Sequence, residues 1–258
     1  WEDLAYISAT FKDAPESSVA LSAALSDFPV APAMGLFSLP APAERVSGSI
    51  SLKGLRNRAV VSASLKWGHG EADARGWIDS ISGRSYSLTV NAVDGALAPW
   101  VAFARSVSSR LKNIPDLDGR LETRGMALDR DGEFLSVNGW LGARELRVGG
   151  VLCGKGSLRV TSSKGRAEIE ASLEGPQGKY TIYPTKFTQE GERRTLDGAF
   201  AWSGVPLAKA QCSLSRGMLA AAWTESAASA SIEFTGLALE DRTLEQTSIR
   251  LERAGNKW

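Results

Sequence analysis

Gly149, Gly154 and Lys155, in the stretch GGVLCGKGSLRV, fill the G-x-x-x-x-G-K frame of a phosphate-binding loop. Such a loop holds phosphate on backbone N–H groups at the start of a helix, and places a Ser or Thr directly after the lysine to reach Mg²⁺. Here Gly156 takes that place, and Ser157 to Thr161 alternate polar and apolar as a strand does. The stretch therefore reads as a glycine turn between two strands, Glu145–Val148 and Ser157–Thr161. The one histidine, His69, stands between glycines in KWGHGEAD and reads as a turn residue. Glu71 with Asp73, and Asp129 with Asp131, are spaced as carboxylate pairs. The second pair opens like a calcium loop, DRDG, but lacks the remaining ligands and the closing glutamate. Cys153 and Cys212 are too few for a disulfide framework or a zinc site; one disulfide in an oxidising compartment and two separate half-buried thiols are both compatible with them. No Cys/His or Ser/His constellation is present in the sequence. The expectation is a protein that is not an enzyme, with no catalytic residue, no metal and no cofactor.

Binding is the remaining chemistry. Trp67, Trp77, Trp140, Trp202 and Trp223 fall in or beside alternating runs, where aromatics serve as core or cross-strand partners. Stacking on sugars or bases is the other use of such rings, but basic residues do not cluster beside them. The formal net charge is +1, so no global field draws the chain to nucleic acid or to an anionic surface. No run of about 18 apolar residues offers a transmembrane segment, and no signal-peptide pattern opens the chain. Beginning on Trp1 without a methionine, the sequence reads as a mature segment or a piece of a longer protein.

The elements that must position these residues are mostly strands. Val46, Gly48, Ile50 and Leu52 alternate with serines, as do Val61, Ala63, Leu65 and Trp67, and Tyr86, Leu88, Val90 and Ala92 alternate with Ser87, Thr89 and Asn91. In Arg166–Glu174 the residues Ala167, Ile169, Ala171 and Leu173 share one face, and Arg166, Glu168, Glu170, Ser172 and Glu174 the other. A period of two with one apolar side means a sheet wetted on its other side. Further strands are predicted at Gly119–Leu128, Glu133–Leu141, Gly178–Phe187, Thr195–Trp202, Leu207–Leu214, Gly217–Trp223, Ser229–Thr235 and Thr243–Glu252. Hairpin loops are predicted at Gly175–Gly178, Asp129–Gly132 and Gln189–Glu192. With few helices between them, neighbours should pair antiparallel. The apolar spacing of Leu97, Trp100, Val101, Ala104, Val107 and Leu111 predicts one amphipathic helix over Asp94–Asn113, and a weaker helix is expected at Ser17–Leu25 before a proline-rich extended stretch, Phe28–Pro42. A soft boundary near Pro115 divides the chain into 1–114, strands with the helix, and 115–258, a repetitive antiparallel meander continuous with the first part.

Each apolar strand face carries a few large residues padded with Ala and Gly. That filling suits an ordinary sandwich or solenoid core, and equally a sheet curled around a fluid guest. The phrases LDGRLETRGMAL, LSVNGWLGARELRVGGVLCGKGSLRV and GRAEIEASLEG resemble the repeat language of the AsmA-like, TamB-like and YdbH-like proteins of Gram-negative envelopes. The resemblance covers most of Leu117–Leu251 and, more weakly, Arg45–Asp94. It implies an elongated, curved antiparallel sheet forming a groove or open barrel, in a periplasmic bridge that carries phospholipid between inner and outer membranes and is anchored in the inner one. It implies acyl lipid as the partner, other envelope proteins as further partners, and no catalytic residue. On that reading the groove-lining candidates are Leu121, Leu135, Val137, Leu158, Val160, Ile169, Leu173, Ile182, Phe200 and Trp202. The alternatives are a structural or adhesive β scaffold and a carbohydrate-binding β-sandwich.

Overall fold

In an alternating segment the backbone N–H and C=O groups point sideways, so each segment needs a neighbour to satisfy them. A computed structural model describes residues 5–12, 18–29, 45–55, 57–79, 85–98, 101, 105, 115–132, 134–207, 210–224, 227–239 and 242–254. Its strands are β1 (Ala5–Lys12), β2 (Ser18–Pro29), β3 (Arg45–Leu55), β4 (Arg58–Trp67), β5 (Gly70–Ile78), β6 (Ser85–Ala96), β7 (Leu117–Asp131), β8 (Phe134–Val148), β9 (Val151–Ser163), β10 (Arg166–Gly175), β11 (Gly178–Glu190), β12 (Arg193–Leu207), β13 (Ala210–Trp223), β14 (Ala227–Leu239) and β15 (Arg242–Ala254). The protein is mainly β. Its antiparallel sheet is not closed into a barrel, and strand order follows chain order, so β1 and β15 are the outermost of the described strands. By internal contacts the chain forms two units, Trp1–Val151 and Leu152–Trp258.

In the first unit the register joins the alternating faces that the sequence defines strand by strand. One row runs Leu21, Leu52, Val61, Gly76, Leu88, Leu128 and Val137, each residue directly opposite the next across β2 to β8. The residues on either side of each row member face the other way, for example Ser51 opposite both Ser22 and Ser62. Trp67 closes one end of the apolar side. It is buried, and its ring lies over Gly70 and Gly95, where an added Cβ would stand 3.2 and 3.1 Å from ring atoms.

The ladders of this unit are interrupted where a strand carries an extra residue. Register shifts fall between Leu25 and Phe28, between Ala92 and Gly95, and between Asp118 and Arg120. Three acidic residues lie in the unpaired stretches with left-handed backbone: Asp27 at φ 49°, Asp94 at φ 54° and Glu145 at φ 53°. That conformation is sterically costly for a residue with a Cβ, and at the first two positions the neighbouring strand supplies compensating bonds. The Asp27 amide donates to Ser47 Oγ at 2.8 Å, and its carboxylate meets Arg45 Nε at 2.7 Å. Asp94 is held by the Arg120 guanidinium. Such bulges bend a strand and strengthen its twist.

The second unit repeats the arrangement. Leu158, Ala171, Ile182, Phe200, Gly217, Phe234 and Thr247 are successive opposite partners from β9 to β15. On the other side the Ser157 and Ser172 hydroxyls meet at 2.7 Å. Turns are tight: Pro176–Gln177 joins β10 to β11, and Gly191–Glu192 joins β11 to β12.

Several expectations need correction. Gly149 and Gly150 form the whole β8–β9 turn, both with positive φ, 57° and 82°, as a two-residue hairpin turn of the primed kind requires. Gly154 and Lys155 are inside β9, so nothing there cradles a phosphate. Asp129 and Asp131 end β7, and the turn follows at Gly132. The helix expected at Ser17–Leu25 is not found: Ser18–Leu25 belongs to β2, paired residue for residue with β1 and β3, and Ser17 lies outside the described residues. Asp94, Gly95 and Ala96 extend β6 instead of opening a helix. The helical turn begins after them, with the Val101 amide bonded to the Leu97 carbonyl at 3.0 Å, and Ala98, Val101 and Arg105 are helical. The rest of the Asp94–Asn113 expectation lies outside the described residues, as does most of Phe28–Pro42. Leu207–Leu214 and Gly217–Trp223 are not two strands: Leu207 ends β12, and β13 runs unbroken through Ser215 and Arg216.

Candidate apolar binding face

Side chains on the apolar side of the second unit come into contact both along a strand and across strands. Phe200 stacks on Trp202 with ring centroids 5.9 Å apart and meets the edge of Phe234 at 6.2 Å. Offset and edge-on pairings of this kind are the favoured aromatic geometries. The ring of Phe200 lies flat because its partner across the ladder is Gly217. A Cβ there would sit 2.4 Å from the ring. At the β11–β12 pair a register shift between Ile182 and Lys186 opens the surface. The result is a hollow of about 390 Å³ lined by Tyr180, Ile182, Thr185, Phe200, Trp202 and Leu219. The Trp202 indole donates to Cys212 Sγ at 3.5 Å, which satisfies its one polar atom beside the hollow. Cys212 and Cys153 are not joined in a disulfide.

Seven of the ten lining candidates belong to this unit, and the register brings them to one side. Val160 is opposite Ile169, Leu158 opposite Ala171, Leu173 opposite Tyr180, Ile182 opposite Phe200, and Tyr180 opposite Trp202. The other three, Leu121, Leu135 and Val137, belong to the first unit. Val137 is opposite Leu128, and Leu121 opposite Gly95 and Ala143. Leu135 is opposite Arg130, so the apolar side ends there. An irregularity between Thr123 and Ala127 lets odd-numbered Leu121 and even-numbered Leu128 share a face. Tyr180, Leu219, Phe234 and Leu214 were not among the candidates. Strand alternation marks Phe234 and Leu219 as apolar, but only the register sets them beside Phe200.

The described residues do not seal this side. Among the described residues the buried apolar ones are Val19, Ala59, Trp67, Leu97 and Leu214, whereas Ile182 is 44% exposed and Ile249 46%. Accessible surface totals 17199 Å². A globular protein of the same mass exposes about 11,000 Å².

Other candidate residues are placed without convergence. His69 is in the β4–β5 turn and lines a hollow of about 340 Å³ with Asp94, Asp118, Arg120, Glu145 and Arg147. Glu71 and Asp73 lie in β5, with Glu71 3.9 Å from Lys66 Nζ. Trp67, Trp202 and Trp223 take apolar-side positions, the last tilted on Phe187 at 6.0 Å. Trp77 and Trp140 occupy the alternate positions, with the Arg58 guanidinium 5.0 Å over the Trp77 ring. Within the first unit the three rings do not share one side. Among the described residues no helix is long and apolar enough to cross a membrane. Comparisons of the chain with protein-family models, with curated proteins and with solved structures find no match.

Proposed function

We propose that the chain is a segment of a lipid-transfer protein of the Gram-negative periplasm, its parent anchored in the inner membrane, and that it holds the acyl chains of phospholipid against its apolar side. The observation that carries this reading is the open face of the second unit, with its carbon-lined hollow over Ile182, Phe200 and Trp202. Apolar area left in water costs about 25 cal/mol per Å². A face built of scattered large residues among Ala and Gly offers an acyl chain a surface without fixed contacts, and a fluid chain adapts to it. The resemblance of the repeat phrases to the AsmA-like and TamB-like proteins points the same way. The charged side, with Arg166, Glu168, Glu170 and Glu174 on β10, stays in water beside the headgroups.

The test is native mass spectrometry of protein purified without detergent, followed by extraction. The expected result is phospholipid carried by the intact chain, and its loss in Phe200→Asp, which sets a carboxylate into the hollow. Protein that stays folded and carries no lipid, even after mixing with phospholipid vesicles, would leave a β scaffold as the reading.

A further inference from the structure

The hollow of about 340 Å³ beside His69 belongs wholly to the first unit, and its size suits a small polar group. Besides His69 in the β4–β5 turn, three strands bring charge to it: Asp94 from β6, Asp118 and Arg120 from β7, Glu145 and Arg147 from β8. Asp94 and Arg120 hold each other. Glu145 and Arg147 are exposed, and among the described residues neither enters an ion pair. Arg147 stands opposite Asp118 on the β7–β8 ladder. Asp94 and Glu145 both keep left-handed backbone, φ 54° and 53°, where glycine would relieve the strain. Strain of this kind gathers at ligand clamps.

The hollow lies where the apolar side of the first unit ends. Along β4, Val61, Ala63 and Leu65 are half-buried on that side, and the buried Trp67 follows them and walls the hollow. From Val61 to Trp67 the strand spans about 20 Å. That exceeds the roughly 15 Å that the tails of one leaflet occupy, half of a bilayer's hydrocarbon core.

We infer that the hollow seats a phosphate ester carrying an ammonium group, its phosphate on Arg147 and its ammonium facing Glu145 and Asp118. Two guanidinium groups and three carboxylates around one space disfavour a simple anion and a simple cation alike, whereas a zwitterion meets both signs. An arginine fork matches phosphate oxygens. That the ester is a phospholipid headgroup, with its tails past Trp67 on the apolar side, rests on the lipid reading above; the matching of charges does not.

His69 is the one histidine in the sequence, so its imidazole gives a single NMR signal inside the hollow. Glycerophosphoethanolamine, which has no tails, is expected to shift that signal saturably, with a dissociation constant of about 10 mM or tighter. Glycerophosphoglycerol keeps the phosphate, lacks the ammonium and should bind at least about threefold more weakly, and Arg147→Gln and Glu145→Gln should each weaken the zwitterion as much. In a second arm the full chain is mixed with vesicles of phosphatidylethanolamine and phosphatidylglycerol in equal amounts, and the lipid it carries is read by native mass spectrometry. The wild type should take up the ethanolamine lipid preferentially, and Glu145→Gln should carry lipid without that preference. A His69 signal unmoved up to about 50 mM, or moved equally by both esters, or indifferent to both substitutions, overturns the site even if the chain carries lipid. Binding of the soluble ester by a chain that carries no phospholipid supports the site, assigns it to a free phosphate ester, and fails the lipid reading alone.

Discussion

At the scale of single residues, burial separates two kinds of apolar side chain. Leu214 is 1% exposed, beside Trp202 across the ladder, whereas Ile182 lines the hollow half-exposed. Leu214→Ala removes buried methyl groups and leaves a void, so it is expected to cost about 2–5 kcal/mol of stability. Ile182→Ala, on an open surface, should cost under about 1.5 kcal/mol. Urea unfolding measures both, and equal losses would mean that the two sites are equally enclosed. Gly217 tests the same surface from below. Gly217→Val drives a branched side chain into the Phe200 ring, a clash expected to cost about 1–3 kcal/mol. Combined with Phe200→Ala the clash disappears, so the double variant should be more stable than the sum of the single losses implies. Additive losses would place the Phe200 ring elsewhere.

At the scale of elements, alternation was readable wherever polar and apolar residues take turns strictly. Arg166–Glu174 does so and is β10 to within a residue. Ser17–Leu25 does not: Val19, Leu21, Ala23 and Leu25 fit a strand, while Val19, Ala20, Ala23 and Ala24 fit a helix, and alanine argues for neither strongly enough. Pairing on both sides decided for β2. In sequence β13 reads as two strands because Ser215 and Arg216 break the period where its pairing with β12 is irregular. The lining candidates within one strand could be grouped by parity, but the hollow is assembled from residues of β11, β12 and β13. Its position depends on register and on a one-residue shift that no pattern within a strand announces. The bulge at Asp94 makes an element-scale prediction. Asp94→Ala keeps the left-handed strain and loses the bond to Arg120, whereas Asp94→Gly loses the bond but relieves the strain. The glycine variant should therefore be the more stable of the two by about 1 kcal/mol, measured by thermal unfolding. The opposite order would mean that the backbone at Asp94 is not left-handed.

At the scale of the whole molecule, an uncovered apolar side changes the thermodynamics of unfolding. Heat capacity rises on unfolding because apolar surface enters water, by about 12–15 cal/mol/K per residue in globular proteins, or about 3.1–3.9 kcal/mol/K for a chain of this length. Surface already exposed in the folded state adds nothing to that change. With 17199 Å² accessible before unfolding, the lipid-free chain is expected to fall clearly below about 3 kcal/mol/K in scanning calorimetry, with a correspondingly shallow dependence on urea. A lipid that covers the face binds the folded state alone, so it should raise the melting temperature with its concentration and increase the heat-capacity change together. A lipid that raised neither would be bound somewhere other than the apolar side. A lipid-free chain whose heat-capacity change lies within the globular range would have that side covered in solution by its own polypeptide.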